Sequence, residues 1–161
     1  MDITLNLVMI IMVVAVLLRS LFYIAIIEGN SMLPNFVEGQ RVLIIRWWPY
    51  KYLRKGSVIA TCIGNTSWLA ENKIKYDVNG VYIKRVIGLS GDEITTNLFD
   101  VPEIYRSKLI HFFNKDNVRV WKVPPNHYFI KSDYVGLDST LTGPVSSKEF
   151  RGLVLGKLIR D

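Results

Sequence analysis

The 161-residue chain is half hydrophobic and carries 20 basic against 14 acidic side chains, a net charge of +6. A single long apolar run excludes a polytopic membrane protein, and the composition excludes a disordered, collagen-like or coiled-coil chain. One cysteine, Cys62, excludes an intramolecular disulfide and a cysteine-rich zinc module, and with only His111 and His127 no histidine-based metal site is expected.

The apolar run comes first. Residues 1–27 hold 22 apolar side chains and two charged ones, Asp2 and Arg19. A membrane-spanning helix needs about 20 apolar residues. Ile3–Ile27 supplies them if the Arg19 stem reaches toward the headgroups. A cleaved signal peptide would need a basic start and small residues at the cut. Residues 1–6 contain neither Lys nor Arg, and Leu21–Ile27 is bulky. The expectation is a retained transmembrane anchor over residues 1–27 and a β-rich domain over residues 28–161. The positive-inside rule would keep the basic C-terminal part in the cytosol, but it weakens for long translocated domains. Charge alone leaves the membrane side open.

Beyond Ile27 the pattern changes to short runs rich in β-branched residues, punctuated by Gly, Asn and Asp. Arg41–Arg46, Ser57–Thr61, Val81–Ile87, Glu93–Thr96, Val118–Val123, Tyr128–Lys131 and Leu153–Ile159 read as strands. Lys55–Gly56, Asn79–Gly80 and Gly91–Asp92 read as turns between them. The fold class is therefore mainly β. Residues 62–80 and 97–119 fit no strand. The second stretch reads as an insertion or an ill-defined subdomain, its basic and aromatic residues forming a solvated face with a few packing side chains, with a membrane surface or nucleic acid as the alternative contact. No nucleic-acid partner is expected.

Two residues carry candidate chemistry. Ser31 lies just beyond the apolar run, in a Gly-containing turn before Pro34, where backbone N–H groups can meet an oxyanion. Serine needs a base. Lys84 lies mid-strand with Tyr82 and Val86 as same-face neighbours. An amine on an apolar face loses hydration and becomes easier to deprotonate. The rival arrangement is a triad of His127 with Asp133 or Asp138 and a serine. A turn serine, a solvated lysine and a surface histidine are the plain alternatives.

Several stretches together resemble the type I signal peptidases, membrane-anchored serine proteases with a Ser–Lys dyad. Leu17–Phe22 looks like the Arg-containing end of the bacterial anchors. Glu28–Pro34 is similar to the Ser-Met-x-Pro box. Lys55–Ile59 resembles the next box, with Ser57 where Asp is usual. Tyr82–Asp92 is the most specific match, departing only at Ser90, where Pro is common. Val123–Ser139 resembles the last box.

The resemblance implies a mostly antiparallel β catalytic domain at the membrane surface. Ser31 would be the nucleophile and its backbone N–H an oxyanion donor. Lys84 would be the general base. Gly29 stands where some members place a second, serine donor. The last box is about two residues shorter than usual. Gly136 falls where a serine often hydrogen-bonds the lysine. Thr140 falls where an arginine often pairs with the aspartate. Asp138 and Ser139 are retained as site support. The implied partners are preprotein signal peptides and the lipid bilayer, with no metal or organic cofactor. Shallow apolar subsites would favour small residues just before the cut. The implied location is the bacterial plasma membrane, single-pass, with the catalytic domain on the outer side. The short inter-box segments also resemble the mitochondrial inner-membrane peptidase subunits, which keeps that compartment as an alternative. The altered last box leaves two other readings open, a maturase for one dedicated substrate and a non-catalytic subunit of a peptidase complex.

Overall fold

The structure is a computed structural model that describes residues 3–64 and 80–158. It opens with a 19-residue helix, α1 (Ile3–Leu21). Its described side chains are exposed to within one residue of the C-terminal end. No other helix among the described residues is long and apolar enough to cross a membrane. At 1.5 Å per residue α1 rises about 28 Å, close to the ~30 Å hydrocarbon core of a bilayer.

The helix does not run to Ile27. Phe22–Ile26 forms strand β1, antiparallel to β2 (Arg41–Ile45) with Phe22 opposite Ile45. The Arg46 N–H donates to the Leu21 carbonyl at the junction. The physical reason is the side-chain pattern. Tyr23 and Ala25 turn inward onto the core, while Ile24 and Ile26 face out. That period of two suits a strand, and β-branched and aromatic residues fill it well.

The remaining elements follow in chain order. They are β3 (Val58–Thr61), β4 (Tyr82–Leu89), β5 (Glu93–Asn97), helix α2 (Glu103–Leu109), β6 (Val118–Lys122) and β7 (His127–Lys131). The short helix α3 (Ser139–Thr142), β8 (Val145–Ser146) and β9 (Phe150–Leu158) complete the set. All strand pairs are antiparallel. One sheet has the order β1-β2-β9-β3-β4-β7-β8, and β5 pairs with β6 in a separate ribbon. The fold is mainly antiparallel β with an N-terminal apolar helix, as the sequence indicates.

Two of these strands begin or occur where the sequence signal is weak. β8 is two residues long. β9 begins at Phe150 rather than Leu153 because Gly152, at φ +155°, lets the strand pass β2 closely. A Cβ there would stand 2.7 Å from the Ile45 carbonyl oxygen. Ile159, Asn79 and most of the 62–80 stretch lie outside the described residues.

The 97–119 stretch has definite structure. Antiparallel β5 and β6 close it at the Asn97–Val118 pair. Between them lie two 3-10 turns and α2. Its Leu98, Val101 and Leu109 join a core built on Ile59, Val86, Tyr128, Ile130 and Leu141. A second cluster packs Ile27, Met32 and Phe36 against Val42, Ile44 and Ala60. Burying a side chain such as Met32 contributes about 1.5–3 kcal/mol. That cluster therefore fixes the turn that carries Ser31.

Candidate active site

Ser31 sits in the turn after β1. Leu33 N–H donates to the Asn30 carbonyl at 3.2 Å and Phe36 N–H to the Met32 carbonyl at 2.8 Å. Met32 is only 2% exposed. Its burial points the turn's apolar side into the sheet and leaves Ser31 half-buried on the other side. The Ser31 carbonyl accepts from Tyr134 N–H at 3.0 Å, tying the turn to the loop after β7. Among the described residues the Ser31 N–H donates to nothing.

Lys84 lies in β4, opposite Ile59 of β3. Alternation puts Lys84, Val86 and Gly88 on the buried face. Lys84 is 2% exposed, and its Nζ donates to Ser31 Oγ at 2.8 Å. Burial pulls its pKa from 10.5 down to about 8, against the opposing pull of the Asp138 and Asp133 carboxylates. That depression costs the folded state about 3 kcal/mol while the amine is charged. An amine so placed, once neutral, can accept the proton of a hydroxyl within hydrogen-bond reach.

The next residue faces the other way and forms the strongest ion pair near the site. Arg85 Nε donates to Asp133 Oδ1 at 2.7 Å and Nη2 to Oδ2 at 2.6 Å. Asn35 Nδ2 adds a bond to Asp133 Oδ2 at 2.9 Å. Burial works to raise the Asp133 pKa, but the Arg85 and Asn35 bonds and the Arg85 charge hold it below the ordinary carboxylate range. Sequence reasoning did not single out Arg85 or Asn35 for this role. The available signal was two adjacent pairs, Lys84–Arg85 inside one strand pattern and Ser132–Asp133 directly after another.

Asp138 and Ser139 support the loop rather than touch Ser31. Asp138 caps α3 by accepting from Thr140 N–H at 3.0 Å, and it accepts from Ser132 N–H at 2.8 Å. Thr140 Oγ1 donates to the same carboxylate at 2.5 Å. A short neutral partner thus serves Asp138 where the resemblance places an arginine. Ser139 Oγ accepts from Ile130 N–H at 3.0 Å, inside the core. Gly136 lies directly against the Ser31–Lys84 pair. A Cβ on it would stand 2.8 Å from Ser31 Cβ, 2.9 Å from Ser132 Oγ and 3.4 Å from Lys84 Nζ.

The rival triad does not assemble among the described residues. His127 Nδ1 bonds the Pro125 carbonyl at 2.8 Å. Asp133 is engaged by Arg85, and Asp138 by Thr140. Ser57 and Ser90, the departures in the other boxes, bond a neighbouring backbone group and a distant tyrosine respectively. Ser57 Oγ accepts from Arg54 N–H, and Ser90 Oγ bonds Tyr50 Oη.

A cleft of about 320 Å³ opens beside the pair, lined by Ala25 and Ile27 from the β1 side, Met32 from the turn and Ile83 from β4. In the sheet order β2, β9 and β3 stand between β1 and β4. Because both strands border one cleft, the sheet must curl to bring them together. β1 is one of the sheet's two edge strands, and β7 pairs with β4 only from Arg85 onward. The cleft is therefore flanked by strand edges beside a hydroxyl, a buried amine and a backbone N–H.

No curated protein matches the chain at a significant level. Residues 1–158 match the family described as signal peptidase, peptidase S26, and the chain belongs to that family.

Proposed function

We propose that the protein is a membrane-anchored serine endopeptidase that removes signal peptides from exported preproteins through a Ser31–Lys84 dyad. The observation that carries this reading is the 2.8 Å contact between a nearly inaccessible lysine amine and a serine hydroxyl, both lining a mainly apolar cleft. Family membership supplies the reaction class.

In the proposed cycle, neutral Lys84 takes the Ser31 hydroxyl proton as Oγ bonds to the substrate carbonyl carbon. The carbonyl becomes an oxyanion facing the Ser31 N–H. As the tetrahedral species collapses, the carbon–nitrogen bond breaks and the leaving amine takes the proton from Lys84. Lys84 then accepts a proton from water as the hydroxide adds to the ester carbon, and on collapse the carbon–Oγ bond breaks, the acid product leaves and Ser31 Oγ takes the proton back from Lys84. Aliphatic walls and strand edges favour an extended substrate segment with small apolar side chains.

The exposed apolar surface of α1 supports anchoring, since a soluble helix of this composition would bury a face. An anchor confines enzyme and membrane-inserted signal peptides to one plane, raising their effective concentration. Asp138 and Ser139 are assigned to site support. The full chain purified in detergent should cleave a preprotein at its signal junction, and Ser31→Ala or Lys84→Ala should abolish that cleavage. Normal cleavage by either variant would overturn the dyad. Cleavage of several unrelated preproteins would mark a general peptidase, and restriction to one would mark a dedicated maturase.

A further inference from the structure

Lys84 has spare hydrogen-bonding capacity. A neutral amine carries two N–H donors and one lone pair. Among the described residues its side chain bonds only Ser31 Oγ. Beside it lies a hydroxyl with the complementary lack. Ser132 is 4% exposed, and its Oγ is buried without a hydrogen-bond partner. Buried side-chain polar atoms are partnered in the large majority of cases, so this one calls for an explanation.

The two atoms share one small space. Lys84 Nζ and Ser132 Oγ both lie within 3.4 Å of the point where a Gly136 Cβ would stand. The Ser132 backbone is held in place. Its N–H donates to Asp138 Oδ2, and the preceding Lys131 pairs with Arg85, the neighbour of Lys84. What remains free is the rotation of its short side chain. A side chain at Gly136 would itself overlap Ser31 Cβ at 2.8 Å, which leaves the Ser132 side chain as the second hydroxyl bordering this space.

We propose that Ser132 Oγ is a positioning group for Lys84, accepting one amine N–H so that the remaining lone pair stays directed at Ser31 Oγ. This rests on the dyad reading above. A lysine amine ends a flexible four-carbon stem, and an unheld lone pair faces the serine only part of the time. A second, fixed acceptor removes that freedom without adding a charge. The charged groups acting on Lys84 are the Asp138 and Asp133 carboxylates, with Arg85 paired to Asp133. None of them changes when Ser132 is substituted.

The test is direct titration of Lys84 in the full chain in detergent. Lysine labelled with carbon-13 at Cε is followed by NMR, and the Lys84 signal is identified by its loss in Lys84→Met. A hydroxyl that accepts from an amine favours the charged form, so Ser132→Ala should lower the Lys84 midpoint by about half a pH unit or more. Ser132→Cys, a weaker acceptor, should shift it in the same direction and serves should the alanine chain fail to fold. An unchanged midpoint overturns the proposal whether or not the chain cleaves anything. In preprotein cleavage, Ser132→Ala should lower kcat by about tenfold or more with little change in KM, and an unchanged kcat also overturns it. Full activity of Ser31→Ala would instead sink the dyad reading and leave the NMR result standing by itself.

Discussion

Arg85 and Asp133 join the two segments that carry the site. Arg85 follows Lys84 in β4, and Asp133 follows Ser132 in the loop after β7. Their paired bonds at 2.7 and 2.6 Å, with Asn35 from the serine turn added at 2.9 Å, tie three distant stretches into one unit. Replacing Asp133 by Ala leaves the partly buried Arg85 charge without its carboxylate. We expect a loss of about 1–3 kcal/mol at pH 7 and a fall in cleavage of about tenfold or more. The Asp133 pKa is depressed in the folded state, so its contribution is complete above the unfolded value and is lost as pH falls through the folded one. Denaturant unfolding should therefore show the two chains converging in acid as the pH falls through the depressed Asp133 value.

The amine at position 84 sets the pH dependence. Its pKa of about 8 means that most molecules hold it charged at pH 7. The rate constant kcat/KM should rise about tenfold per pH unit below that value and level off above it. Initial rates between about pH 6 and 9.5 check this, because that window spans the depressed value of about 8 and stays below the ordinary 10.5. A profile flat through pH 8 would remove Lys84 from the role of base.

The same amine should make the protein less stable than it could be. Its folded pKa lies below the unfolded value, so between about 8 and 10.5 the unfolded chain binds the proton that the folded chain has released. Stability rises with pH across that window, and the cost is fully present below it. Lys84→Met should therefore raise the unfolding free energy at pH 7 by about 2–3 kcal/mol, while eliminating cleavage. The gain should shrink as the pH approaches 10.5, the ordinary value.

Gly136 tests the packing of the site. Its substitution by Ala places a carbon 2.8 Å from Ser31 Cβ, closer than real contacts allow. The loop or Ser31 must shift. A misplacement of about 1 Å can cost a hundredfold in rate. Gly136→Ala should fold, judged by circular dichroism, and should lose acylation of Ser31 by a serine-reactive probe by about that factor. Unaltered acylation would show that the loop yields without disturbing Ser31.

Much of the fold was legible because strand signals are local. Alternation and Gly or Asn turns located β2 to β7 within a residue or two of their observed ends. β1 was not legible, because an unbroken apolar run satisfies a helix and a buried strand equally. What separated them was the partner, Arg41–Ile45, which pairs with Phe22–Ile26 from beyond the serine turn. The 97–119 stretch looked irregular because its order comes from Leu98, Val101 and Leu109 reaching a core made elsewhere.

By itself the sequence determined the mainly β class, the apolar N-terminal segment and the family resemblance that named Ser31 and Lys84. These follow from composition, period and short motifs, which need no partner to be read. Only the tertiary structure decided that residues 53 positions apart meet at 2.8 Å, and that Thr140 takes up Asp138. It alone placed Gly136 against the Ser31–Lys84 pair, and Ser132 unpartnered beside the lysine. Those facts depend on how the sheet curls and where the loop after β7 returns. A buried amine's proton affinity is set by the groups that surround it in space, and no local pattern encodes that neighbourhood.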